Sequence, residues 1–294
     1  MSKGVLMFAH NNSEIDYFRM AFVNAMLVKK HLGADVTVVT DQHSYDYVTE
    51  TVPEDKIQKA IDNIIISNKD RNFKQQNSKV YRDTINHQQN LSFYNLDRAD
   101  AYDISPYDET IMIDTDYLIL GDTLNRCWAS KNPMMMNYTW QDINFNRKFD
   151  LDRLSIASIT QYWATVVYFT KSDYSESFFT LCKNVRQNYS YYKNLYRWAG
   201  STFRNDFVFS IAAHMLNDLT DKSVPELPFK LYKSFDFDDI HSVGPGCELT
   251  MYLEKHDSPG EFILSNWKDL DLHIMNKWAI NRATNDLMWS IEND

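Results

Sequence analysis

Two carboxylates, Asp114 and Asp116, stand in the middle of an apolar run that reads YDETIMIDTDYLIL. An unpaired buried carboxylate is costly, so a segment carrying two needs a counter-charge, a hydrogen-bond cage or a metal. Residues two apart on an extended chain point to the same side, so both can meet one hard cation such as Mn²⁺ or Mg²⁺. The alternative is a pair of strand-end aspartates satisfied by backbone N–H groups or an arginine. Three more D-x-D patterns, Asp150/Asp152, Asp236/Asp238 and Asp269/Asp271, lie in polar surroundings and read as solvated surface. With 40 acidic residues the pattern arises by chance; the apolar flanks set Asp114/Asp116 apart.

The elements around these residues alternate. GVLMFAH and ADVTVVTD are short apolar runs closed by polar residues and predict two central parallel strands. SEIDYFRMAFVNAMLVKKHLG between them predicts a helix, with Ser13 as N-cap and Lys29, Lys30, His31 and Gly33 at its end. Strand, helix and strand make a βαβ unit. Residues 67–98, rich in Asn and Gln, predict a connection containing a helix. The 107–120 run predicts a buried strand after a turn at Ser105-Pro106, and PMMMNYTW and YWATVVYFTK predict two more. Helices are expected over about 175–195 and 206–216 and at the C-terminus.

The chain has 294 residues, 44% of them hydrophobic, which suffices for a large α/β core. Its N-terminal apolar segment is too short for a signal sequence or membrane span. Three widely spaced cysteines, Cys127, Cys182 and Cys247, give neither a zinc cage nor a disulfide framework, and a cytoplasmic home is expected. A formal charge of −10 argues against indiscriminate polyanion binding. Against that background, the 29 residues between Glu176 and Asp206 hold no acid and five cations, Lys183, Arg186, Lys193, Arg197 and Arg204, interleaved with aromatic rings. Such a stretch can track a phosphate backbone and stack on bases, hold a glycan on its rings, or form a helix pair with an aromatic core and a solvated basic face. AHNNSEIDY, after the first strand, has no glycine, which speaks against the phosphate loop of a nucleotidyltransferase.

The βαβ start ending in VVTD, the 107–120 run and LHIMNKW together resemble the GT-A-fold glycosyltransferases of family 8, the glycogenin-like kind, from about residue 5 to 278. The resemblance implies a single α/β domain with a Rossmann-like, mostly parallel central sheet flanked by helices. Residues 1–125 would form its nucleotide-sugar-binding half and 126–294 its acceptor half. In that family the D-x-D and the histidine of an H-x-x-G-x-x-K-P-W motif hold a divalent metal against the donor diphosphate. Asp114, Asp116 and His273 match the ligands and Lys277 and Trp278 the motif's end, although its glycine and proline are missing and the spacing is shorter.

The resemblance also implies donor contacts from Ala9, Asn11 and Tyr17, with Tyr17 as the stacking ring, and from Asp41, Arg82, Arg98 and Thr115. YWATVVYF, with Trp163 and Thr165, takes the place of the N-A-G-V strand that lines the sugar pocket. RNDFVFSIA takes the place of the D-Q-D segment, with Asp206 facing the anomeric carbon and Asn205 beside it. Arg197, Trp198 and Arg204 fall on the acceptor side. The implied activity is metal-dependent, retaining transfer of a hexosyl or pentosyl group from a UDP-sugar to a hydroxyl. YDISPYDET and HIMNKW resemble glycosyltransferases of tailed bacteriophages, some of which modify hydroxymethylated pyrimidines in DNA; a surface polysaccharide is the alternative acceptor. A nucleotide-sugar-binding protein without transfer activity is the competing class.

Overall fold

The computed structural model describes residues 1–67, 78–144, 152–198 and 202–294. Asp150 lies outside the described residues, as does residue range 68–77 of the expected polar connection. The chain opens β1 (Lys3–Phe8), α1 (Tyr17–His31), β2 (Asp35–Thr40), α2 (Gln42–Thr49), α3 (Glu54–Ala60) and β3 (Asn63–Ile66). α1 is capped by Asp16, whose carboxylate accepts from the Arg19 N–H, and not by the expected Ser13. Asp16 wins because Asn11 also grips its carboxylate, at 2.9 Å.

The described part of the polar connection is a hairpin of β4 (Ser78–Thr84) and β5 (His87–Ser92), where a helix was expected. Asp83 ties this ribbon down through Arg282, at 3.0 and 2.8 Å. After a 3₁₀ turn at Asp97–Asp100 and α4 (Ala101–Ile104) come β6 (Glu109–Ile113) and β7 (Tyr117–Leu118). The predicted single strand over 107–120 is therefore two, broken by a turn in which the Tyr117 N–H donates to the Asp114 carbonyl at 3.1 Å.

β8 (Met134–Met136), β9 (Trp140–Asp142) and β10 (Val166–Thr170) follow, then α5 (Asp173–Gln187), α6 (Tyr189–Tyr196) and α7 (Asn205–Leu216). The last third carries β11 (Leu231–Lys233), β12 (Asp239–Val243), β13 (Leu249–Glu254), β14 (Phe262–Trp267), β15 (Leu272–His273) and α8 (Lys277–Glu292).

The central sheet has the order β3-β2-β1-β6-β10-β8. Its first four strands run parallel, and β10 is antiparallel to both β6 and β8. Strands buried on both faces read as continuous apolar runs, as GVLMF and TIMI do. Alternate residues of β1 divide between two cores. Val5 and Met7 meet Phe18 and Phe22 of α1 and Ile280 and Leu287 of α8, whereas Leu6 and Phe8 meet Phe178 of α5 and Phe209 of α7. The fold is thus mixed α/β with a mostly parallel sheet flanked by helices on both faces. A second sheet, β7-β15-β11-β9, grows from the end of β6, and β12-β13-β14 form a third. Among the described residues, no helix is long and apolar enough to cross a membrane.

Candidate active site

A cavity of about 450 Å³ opens where Phe8 ends β1 and Ile113 ends β6, the carboxyl edge at which open α/β sheets bind ligands. The turn after β6 places both aspartates there. The Asp114 N–H donates to the Thr165 carbonyl at 2.9 Å, which fixes the turn to the start of β10. Its carboxylate lies 2.6 Å from Nη1 of Arg98, and the other amino nitrogen of Arg98 donates to the Ala164 carbonyl. Arg98 sits on the 3₁₀ turn, whose aspartates at either side, Asp97 and Asp100, take Arg186 of α5 at 3.3 and 3.1 Å.

His273 reaches the turn through sheet pairing. β15 pairs antiparallel with β7, setting His273 opposite Tyr117, and the Ile274 N–H donates to the Asp116 carbonyl at 2.9 Å. Nε2 of His273 comes to 3.5 Å from the Asp116 carboxylate, and Nδ1 lies 3.3 Å from the Thr165 hydroxyl. Trp163 stands edge-on to the imidazole, held in turn by the Lys233 ammonium 4.2 Å from its ring. α8 begins with Lys277, whose ammonium is 2.5 Å from Asp116. Burial would raise the pKa of Asp116, but Lys277 and His273 take it far below the carboxylate range. Burial pushes Asp114 up, with Arg98 opposing and the Asp116 charge adding to the rise. Lys277 is raised because Asp116 outweighs the effect of its own burial.

Ligand atoms of Asp114, Asp116 and His273 lie within 4.8 Å of one another. Two carboxylate oxygens and one ring nitrogen are a donor set suited to Mn²⁺ or Mg²⁺, so these residues fit a divalent ion. Without one, Arg98 and Lys277 supply the compensating charge, one cation to each carboxylate. The counter-charge and metal answers to the two-aspartate question therefore draw on the same two carboxylates.

The opposite wall is the first turn of α7. Asp206 does not cap that helix: Arg204 is the N-cap residue, and one Asp206 oxygen accepts from the Ala164 N–H at 2.9 Å while the other pairs with Arg204 at 2.9 Å. Burial would raise the Asp206 pKa, but Arg204 and the Ala164 N–H hold it below the usual range. Asn205 donates to the Asn95 carbonyl at 2.9 Å, which leaves its buried Oδ1 without a partner. Arg98 Nε and Trp163 Nε1 are likewise buried and unpartnered, and all three residues line the cavity. These three atoms can each make a hydrogen bond to a polar ligand in the cavity.

Of the other expected donor residues, Tyr17, Arg82 and Thr115 line the cavity. The Tyr17 hydroxyl is 2.8 Å from that of Tyr81, and Arg82 pairs with Asp236 at 3.1 Å. Thr165 and Arg204 also line it, whereas Ala9, Asn11, Asp41, Arg197 and Trp198 are not on its wall. Ala9 packs in the core, Asn11 binds Asp16 and the Phe18 N–H, and Asp41 caps α2. Arg197 is exposed at φ 55° behind α6, and Trp198 is buried against Phe207 and Tyr189.

The basic aromatic stretch is core plus ion pairs. Tyr189, Tyr192, Tyr196, Trp198 and Phe203 are buried, and only Tyr191 presents a large exposed ring. Lys183 pairs with Asp103, Arg186 with Asp97 and Asp100, and Arg204 with Asp206. Residues that the sequence did not single out also line the cavity, among them Lys79, Asn95 and Asp236. Asp236 belongs to a D-x-D expected to be solvated; in fact Asp238 is 1% exposed and Asp271 3%. The Phe235 and Glu254 N–H groups take one oxygen each of Asp238, whereas those of Leu120 and Gly121 both donate to Oδ1 of Asp271.

No protein-family model matches the chain, and no curated protein does. Similar solved structures include glycosyltransferases and also a putative glucose-1-phosphate thymidylyltransferase from Bacillus anthracis, by description. GlyE from Streptococcus pneumoniae matches with 11% identity and a TM-score of 0.40 over 77% of this chain and 45% of its own. The galactosyltransferase LgtC, solved with donor and acceptor sugar analogues, matches with 13% identity and 0.42 over 79% and 73%. Mouse xyloside xylosyltransferase 1 matches with 10% identity and 0.43 over 74% and 83%. The chain spans less than half the length of GlyE.

Proposed function

We propose that this chain is a glycosyltransferase that uses a divalent metal to move a sugar from a nucleotide diphosphate sugar, UDP-linked in the first instance, to an acceptor hydroxyl. The observation that carries the reading is the meeting of Asp114, Asp116 and His273 at the carboxyl edge of the sheet, with Arg98 and Lys277 beside them and unpartnered polar atoms across the cavity. A bound Mn²⁺ or Mg²⁺ supplies electrostatic stabilisation to a diphosphate leaving group. Lys277 and Arg98 add fixed positive charge to the same side. Asn205 Oδ1 can accept from a sugar hydroxyl and Trp163 Nε1 can donate to one. Asp206 has both oxygens engaged, by the Ala164 N–H and by Arg204, so its assigned role is to stabilise developing positive charge on the sugar or to orient the acceptor, not to attack covalently.

The rings of the stretch that suggested a nucleic-acid acceptor are mostly buried, so glycans and hydroxymethylcytosine-containing DNA enter the acceptor panel on equal terms. The test is a panel of UDP- and GDP-sugars with Mn²⁺, read by mass spectrometry for hydrolysis and transfer. Asp116→Ala should abolish both turnover and the metal-dependent thermal stabilisation by UDP. Full turnover by that variant would remove the metal from the mechanism. Stabilisation by UDP with Mn²⁺ but no hydrolysis or transfer across the panel would leave a binding protein in place of an enzyme.

A further inference from the structure

We infer that the acceptor carries a phosphodiester beside its accepting hydroxyl and that Lys79, on β4, is the cation that receives it; this rests on the transferase reading above. Four cavity cations have a carboxylate each: Arg82 with Asp236, Arg98 with Asp114, Arg204 with Asp206 and Lys277 with Asp116. The fifth, Lys79, has no ion-pair partner among the described residues. It stands only against the rings of Tyr81 and Phe93, at 5.7 and 5.9 Å. The described wall therefore holds one unit of positive charge in excess. A divalent ion would add two, and the two phosphates of a nucleotide sugar bring about one negative charge each. One positive unit is left over, which matches a phosphodiester and falls short of a phosphomonoester's charge of about −1.5 to −2.

Placement agrees with charge. Lys277 and Arg98, at the metal side, are 6% and 4% exposed, whereas Lys79 is an exposed residue on the cavity wall. An anion that meets Lys79 arrives from the mouth, after the donor has filled the depth of the cavity. Loss of water around the amine, and then the charges of Lys277 and Arg204, lower the Lys79 pKa to about 8. A cation held among cations gains most from an incoming negative group. The buried rings of residues 189–203 offer bases little to stack on, so the favoured source is a polyol phosphodiester and not a nucleic-acid backbone.

The test uses the full chain with Mn²⁺ and UDP, titrated with glycerophosphoglycerol, the uncharged diglycerol and the dinucleotide TpT. Glycerophosphoglycerol should bind and diglycerol should not. Lys79→Gln should weaken glycerophosphoglycerol about tenfold, the worth of one charge-assisted contact, and UDP·Mn²⁺ by clearly less; Lys79→Arg should restore binding. Equal loss of both ligands in Lys79→Gln would assign Lys79 to the donor diphosphate and overturn the inference. Tighter binding of TpT than of glycerophosphoglycerol would overturn the polyol assignment. Failure of UDP·Mn²⁺ to bind the unaltered chain would instead sink the transferase reading, and this inference with it.

Discussion

Replacing Lys277 by methionine should make the chain less stable alone and better at binding Mn²⁺ alone. The ammonium lies 2.5 Å from Asp116, and the two side chains are 6% and 8% exposed. At an effective dielectric of about 20, the gross attraction at that distance is about 7 kcal/mol. Removing one partner of such a pair leaves a buried charge and costs about 3–5 kcal/mol. His273 and Arg98 remain nearby, so the lower end applies, which lowers the melting temperature by roughly 6–12 °C for a chain of this size. In the unaltered protein an entering ion must share Asp116 with that ammonium; in Lys277→Met it meets the carboxylate without it. Even a fifth of the gross attraction corresponds to about tenfold tighter Mn²⁺ binding. At about one hundred times its Kd, Mn²⁺ would return about 2.7 kcal/mol, close to the whole loss. UDP reverses the comparison, because a diphosphate gives Lys277 somewhere else to go: UDP should tighten Mn²⁺ binding in the unaltered chain and do so much less in the variant. Calorimetric titration of Mn²⁺ with and without UDP, with melting curves in chelator and in Mn²⁺, reads all of this. Unchanged or weaker binding of Mn²⁺ alone by Lys277→Met would refute the competition between lysine and metal.

Two further outcomes follow from buried charge elsewhere. Arg186→Met removes the cation that Asp97 and Asp100 share and should lower stability in urea by about 1.5–3 kcal/mol; because those aspartates border Arg98 on the same turn, UDP·Mn²⁺ affinity should fall too, with Arg186→Lys recovering part of both, and an unchanged urea midpoint would sink the idea. Burial raises Asp271 to about 7 and Asp238 to about 6, so the folded chain keeps their protons after the unfolded chain has lost them. Each therefore removes stability as pH rises from about 4 through its folded pKa. Asp271→Asn keeps an oxygen for the Leu120 and Gly121 N–H groups and should flatten that decline; the same slope as the unaltered chain between about pH 4.5 and 8 would refute the assignment.

The parallel half of the sheet was legible because strands buried on both faces must be apolar throughout, and GVLMF, DVTVV and TIMI show it without help from the rest of the chain. The hairpin of β4 and β5 was not. Its sequence, SKVYRDTINHQQNLS, is polar on nearly every residue, and what holds it is Asp83 gripping Arg282, 199 residues away. A contact of that span leaves no local periodicity. The same holds for the turn at Asp114: the apolar letters on either side continue without a break, and only the Tyr117 N–H closing on the Asp114 carbonyl shows that one strand has become two.

The site was legible in proportion to how unusual each residue is in its own neighbourhood. Two acids between TIMI and YLIL conflict with burial, and that conflict marks them. Asp236 and Lys79 sit among residues like themselves, in SFDFDD and in an Asn/Gln-rich stretch, so nothing local distinguishes a cavity wall from a solvated loop. In the opposite direction, a +5 stretch thick with rings looked functional and proved to be a core whose cations mostly answer Asp97, Asp100, Asp103 and Asp206. Composition records how many charges a segment has but not where their partners lie. In this chain it is the partnering that distinguishes them: Arg98 and Lys277 each pair with one carboxylate of Asp114 and Asp116, whereas among the described residues no carboxylate pairs with Lys79.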